Sequence, residues 1–174
     1  MRLSKMLLNL GFLILLMTCN KEDDNPANHS VVGSWQLTSA SSDNGMITTD
    51  TPIATFTTNY TFFGEDLNLV ISFSEDPNTF SSTGIYTRVV TTTTNNQTIT
   101  QQEPGDDFQA SGTWERADNL VTITYPDLST QTLNITSLSE TKMSARFILN
   151  ATEDIGNGAT ETNMATIFYT FERQ

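Results

Sequence analysis

The chain has one cysteine, Cys19, and one histidine, His29, in 174 residues. A lone cysteine excludes an internal disulfide framework and thiolate metal clusters. A lone histidine outside the strand-rich body leaves Ser-His-Asp or Cys-His catalysis without its base, and excludes zinc or iron sites built on several histidines. Basic residues are also scarce: eight Lys and Arg stand against twenty Asp and Glu, a formal charge of −12. Such a chain repels phosphate backbones, so nucleic acid is not an expected partner. No glycine-rich phosphate loop is present. Beyond the first residues there is no long apolar run and no sustained 3.6-residue apolar period, which argues against a helical body.

The one apolar run is N-terminal. Arg2 and Lys5 precede a mainly apolar stretch from Met6 to Met17, too short for an ordinary membrane-spanning helix but suited to a signal core. It ends at Leu16-Met17-Thr18-Cys19, followed by Asn20-Lys21-Glu22-Asp23-Asp24. This resembles a bacterial lipoprotein signal, in which residues 1–18 are removed and Cys19 becomes the lipidated N-terminus. Thr18 departs from the Gly, Ala or Ser usual before such a cysteine. The resemblance implies a diacylglyceryl group and an N-acyl chain (palmitate, for example) on Cys19, enough chains for stable anchoring. The Lys-plus-acidic run is similar to the surface-export signal of Bacteroidetes-type lipoproteins and implies an outer-membrane, cell-surface location. With the two leader charges removed, the mature chain stands near −14. Residues 19–30 read as an acidic, flexible tether containing Pro26 and His29.

What remains, residues 31–174, is rich in Thr, Ser, Asn and aromatics, the composition of strands and turns. Alternation is plain in Gly33, Trp35 and Leu37; in Leu67, Leu69, Ile71 and Phe73; in Phe108, Ala110, Gly112 and Trp114; and in Ala165, Ile167, Tyr169 and Phe171. A loop is expected over Ser41-Ser42-Asp43-Asn44-Gly45, and one long strand from Phe80 to about Thr92. Turns fall at 75–78, 103–106, 117–119, 126–127, 139–140 and 157–158. Eight to ten short-connected strands predict an antiparallel, all-β domain, either an up-and-down β-barrel or a β-sandwich.

Gly33-Ser34-Trp35 at the domain start resembles a lipocalin-like barrel. The segments Phe73–Phe80, Ser111-Gly112-Thr113-Trp114-Glu115, Leu138–Met143 and Tyr169-Thr170-Phe171-Glu172 are similar to lipocalin-like domains of Bacteroidetes-type lipoproteins. The resemblance spans residues 31–174 and implies a calycin-type barrel of eight to ten strands. It also implies that Arg173 stacks on Trp35 at the barrel end. Gly33 and Gly112 permit close backbone approach, and Trp35 and Trp114 fill that end.

Catalytic chemistry would rest on carboxylates. Asp106-Asp107 and Glu153-Asp154 read as solvated loop acids, since neighbours on a strand point apart, so no catalytic residue is assigned. No metal or cofactor is expected. The expected activity is non-enzymatic binding of a small hydrophobic or amphipathic ligand, with Phe73, Tyr86, Phe147 and Tyr169 as walls of an open-ended cavity. Arg88, sharing parity with Tyr86, is a candidate polar anchor for an anionic group if it faces inward, with a rim position as the alternative. The rival function is a surface module that docks a partner protein or a glycan.

Overall fold

The computed structural model describes Pro26, residues 29–94 and residues 97–174, so Cys19 and most of the tether lie outside the described residues. The domain is built from eleven strands: β1 (Gly33–Asp50), β2 (Thr55–Glu65), β3 (Val70–Ser74), β4 (Thr79–Thr83), β5 (Tyr86–Thr94), β6 (Gln97–Gly105), β7 (Ser111–Ala117), β8 (Leu120–Thr124), β9 (Thr130–Leu138), β10 (Lys142–Gly156) and β11 (Ala159–Arg173). All pairings are antiparallel, and β11 pairs with β1, which closes the sheet. Closure removes the edges that a sandwich would leave, and the alternatives resolve in favour of the barrel.

The eleven strands are eight with three interruptions. β1 pairs with β3 through Gly33–Gln36 and with β2 through Ser41–Asp50. β3 and β2 are thus successive halves of one neighbour of β1. The same holds for β4 and β5, and for β7 and β6. The three breaks, at 66–69, 84–85 and 106–110, lie side by side. Gln36 Nε2 donates to the carbonyls of Leu67 and Leu69 at 2.6 and 3.1 Å, and Asn68 N donates to Ile85 O, so backbone groups freed by the bend are satisfied locally. Gly84, at φ +76°, sits where a Cβ would lie 2.1 Å from Asn68 O; only glycine fits this bend. The long strand expected from Phe80 to Thr92 therefore divides here.

Below the breaks the barrel is closed. Above them β2, β5 and β6 run beside the long upper halves of β1, β10 and β11, forming a flared, six-stranded wall in the sense that β6 and the upper half of β10 have no further strand neighbour among the described residues. The loop expected at 41–45 is strand instead. β1 crosses it by a bulge between Ser42 and Met46, where Asn44 Oδ1 accepts from Thr166 N and Gly45 accommodates the Tyr60 ring. Asn and Gly, which signal a turn in the sequence, here re-aim a continuous strand.

The closed half is filled. Trp114, Phe73, Phe80, Phe108, Tyr169 and Phe171 form an unbroken series of ring contacts with centroids 5.4–6.0 Å apart. Trp35, Ile71, Val121, Ile123, Leu133, Leu138 and Met143 complete the core with essentially no exposed surface. Offset and edge-to-face pairs at such spacing add to the free energy of burial itself.

Candidate ligand-binding site

The closed end is held by Arg173. Its guanidinium stacks 4.1 Å from the Trp35 ring and donates to the carbonyls of Glu140, Val32 and Ser30. Gly33, at φ +129°, has no room for a side chain, since a Cβ there would lie 2.4 Å from Arg173 Nη1. The indole nitrogens of Trp35 and Trp114 donate to Val31 O and Ser74 O at 2.7 and 2.9 Å. Gly112 brings its strand against Thr124, whose carbonyl oxygen a Cβ would meet at 2.6 Å. Trp35, Trp114 and Arg173, with Gly33 beneath the guanidinium, thus lie together at the sealed bottom, whereas Gly112 sits at the start of β7, next to the break at 106–110.

The open end is built differently. Tyr86 begins β5 just after the bend, and its ring lies flat on Gly105 of the paired strand β6. Tyr60 lies on Gly45 in the same way, and its hydroxyl donates to Asn163 Oδ1 at 2.8 Å. Two residues after Tyr86, Arg88 points to the same face and sits 5.4 Å from the centre of the Phe62 ring. Its Nε donates to Tyr86 Oη at 3.3 Å, Nη1 reaches Glu103 at 3.4 Å, and Nη2 is bonded to Asp107. Asp107 also accepts from the Tyr86 hydroxyl. The Asp107 side chain is only 6% exposed, whereas that of Glu103 is 42% exposed. Asp107 is therefore a correction to the sequence reading of 106–107 as solvated acids. The chain bends at 106–110, which turns one of the two neighbours inward, and strand parity does not govern a bend.

Burial pushes the Tyr86 hydroxyl above its ordinary value, against the pull of Arg88. Tyr169 rises for the same reason, and its hydroxyl is buried without a hydrogen-bond partner among the described residues. Burial raises Tyr60 despite its bond to Asn163.

Beside Arg88 lies a cavity of about 170 Å³, walled by Ile47, Phe62, Val90, Leu149 and Ile167, with Arg88, Glu103, Tyr60 and Asn163 as polar groups. It is open on one side and belongs to the flared wall, not to the filled barrel. Of the wall residues expected from sequence, Phe73 and Tyr169 belong to the aromatic filling, Tyr86 anchors the Arg88 cluster, and Phe147 packs against the core opposite Ile167. Arg88 alone of that set lines the cavity. Phe62, Val90, Leu149 and Ile167 line the cavity but were not among the wall residues expected from sequence. The alternation of Tyr60 with Phe62, and of Arg88 with Val90, was the available signal for two of them. A larger concavity of about 490 Å³ lies on the outer surface at the β1 bulge, beside Met46, Ile148 and Met164. Asp43 is its charged group, and the concavity shares Tyr60 and Leu149 with the smaller cavity.

Among the described residues no three His, Cys, Asp or Glu side chains converge on a metal position.

A lipocalin-like domain family model matches residues 31–145, about two thirds of the chain. The fold, a small antiparallel barrel opening at one end, defines the class; the chain belongs to the lipocalin-like domain family. No curated protein and no solved structure matches it. The match ends within β10, so the upper part of β10 and all of β11, which close the barrel and form one side of the cavity, lie beyond it.

Proposed function

We propose that this protein is a lipid-anchored surface binding protein that takes up one end of a small amphipathic molecule in its flared mouth. The observation that carries the reading is the cavity beside Arg88, apolar on its walls and polar at one corner. Ligand sites are commonly mostly apolar with a few converging polar groups. Its volume of about 170 Å³ is close to the ~150 Å³ that accommodates benzene in an engineered core, and below the ~300 Å³ at which whole drug-sized ligands begin to fit. It therefore suits a ring or a short chain end, with the remainder of the molecule lying along the flared wall.

The anchor fits this orientation. Cys19 carries the lipid in this reading, and the tether reaches the domain at its sealed bottom. There Arg116 donates to the carbonyls of Pro26 and His29. Six residues lie between Cys19 and Pro26, so the seven steps reach at most about 25 Å at ~3.6 Å per residue. The mouth, at the opposite end, would face away from the membrane. Display on the outer face of the outer membrane follows from the acidic run after Cys19, and membrane association should be lost in Cys19→Ala.

The second reading, docking of a partner protein or glycan, draws on the outer concavity and its exposed Ile148 and Met164. Fluorescence titration with the neutral probe N-phenyl-1-naphthylamine separates the two. The wild-type chain should enhance the probe's emission, Ile47→Arg should abolish the effect, and Met164→Arg should leave it intact. Loss through Met164→Arg instead, or no enhancement by the wild type, would overturn the mouth as the site.

A further inference from the structure

We infer that the mouth selects neutral or cationic head groups and rejects anionic ones, so that its ligand is an amphiphile bearing amine or hydroxyl donors and not a fatty acid. The inference rests on the binding reading above and names its ligand class. An arginine in a cavity wall suggests an anion site at first sight, but here its charge is already spent. Asp107 holds Nη2 from behind and Glu103 holds Nη1 from the cavity side. One guanidinium and two carboxylates leave the cluster at −1, in a chain whose formal charge is −12. An entering carboxylate or phosphate would compete for the guanidinium with Glu103 and with Asp107, which is 6% exposed and also accepts from the Tyr86 hydroxyl. Even on the N–H groups those acids leave over, it would raise the cluster from −1 to −2.

Glu103 offers the opposite opportunity. It is 42% exposed, lines the cavity and meets Arg88 at the long distance of 3.4 Å. A carboxylate has about four lone-pair positions, so most of its accepting capacity remains for a donor on the ligand. Arg88 and Asp107 then act as the fixed base of the site, and Glu103 as its free acceptor. Asn163 Oδ1 accepts from Tyr60 at the far side of the same cavity, which gives a hydroxyl-bearing ligand a second polar contact.

The test is displacement of N-phenyl-1-naphthylamine from the full mature chain by decylamine, decanol and decanoate, each below its micelle concentration at pH 7.5. Decylamine and decanol should displace the probe, and decanoate should be at least tenfold weaker. Glu103→Gln, an exposed edge-strand change that keeps the fold, should reduce the preference for decylamine over decanol by about fivefold, the scale of a half-exposed ion pair. Decanoate binding as well as decylamine, or a preference unmoved in Glu103→Gln, would overturn the charge inference while leaving the mouth as the site. Failure of all three to displace a bound probe would overturn both.

Discussion

Two arginines stack on aromatic rings at opposite ends of this barrel, and their partners differ in kind. Arg173 covers Trp35 and donates to three backbone carbonyls. Arg88 lies near Phe62 and Tyr86 and bonds to two carboxylates and a hydroxyl. Backbone carbonyls are fixed by the sheet, so Arg173 has partners that nothing entering from outside can replace. A half-exposed glutamate is a replaceable partner, so Arg88 belongs to a site that can exchange contacts. The same side chain serves stability at one end and recognition at the other, and the surroundings decide which.

The bottom should therefore respond to mutation in stability and the mouth in binding. The largest effect is expected from Trp35→Ala, which removes a fully buried ring. It should cost about 3–5 kcal/mol in denaturant unfolding. Arg173→Ala should cost about 1.5–3 kcal/mol, the range for hydrogen bonds to a charged group, with probe affinity unchanged in the fraction that remains folded. Gly33→Ala forces a side chain into φ +129° and against Arg173. A loss of about 1–3 kcal/mol should follow, read as a lower melting temperature. Ile47→Arg, on the partly exposed wall, should shift stability by under about 1 kcal/mol while abolishing probe binding. A variant of the mouth that unfolds the protein, or one of the bottom that spares stability and removes binding, would break the division.

The smallest effect is a titration. All four tyrosines have raised pKa values in the folded chain because burial disfavours the phenolate, and Tyr125 is pushed up to about 12. The unfolded chain loses these protons near pH 10, and the folded chain loses them at higher pH, Tyr125 at about 12. Their contribution to stability is thus complete below about pH 10 and is lost as pH rises through the raised values of the folded chain. Absorbance at 295 nm should show less tyrosinate at pH 10 in the native protein than in the unfolded chain; an equal step in both would show the rings to be more accessible than the packing describes.

The sequence made the bottom more legible than the mouth. Gly33 and Trp35 are legible because a glycine and a large ring have a narrow physical use at a barrel end, and Arg173 was legible only through the resemblance to a lipocalin-like barrel. Period two identifies the fillers Ile71, Phe73, Ile123 and Phe171 because each sits in a regular strand. The mouth depends on where regularity fails. The bends at 66–69, 84–85 and 106–110 divide three strands, and the Asn44-Gly45 bulge keeps β1 running where its residues suggest a loop. Such irregularities turn Asp107 inward against expectation and bring Leu149 and Ile167 of the last two strands beside Arg88 of the fifth. Spacing along the chain holds no record of that meeting. Phe73 illustrates the same limit from the other side: alternation marks it as inward-facing, but cannot tell a cavity wall from a plug.

The central claim is that ligand enters the flared mouth and leaves the filled barrel unopened. Methyl-resolved NMR of the full mature chain during titration with N-phenyl-1-naphthylamine tests it most directly. Saturable shifts should appear at the methyls of Ile47, Val90, Leu149 and Ile167, with Ile71, Ile123 and Leu133 unmoved. Shifts centred on Ile71, Ile123 and Leu133 would mean that the aromatic plug opens to hold the ligand, and shifts centred on Met46, Ile148 and Met164 would transfer binding to the outer face. Either result would contradict the account.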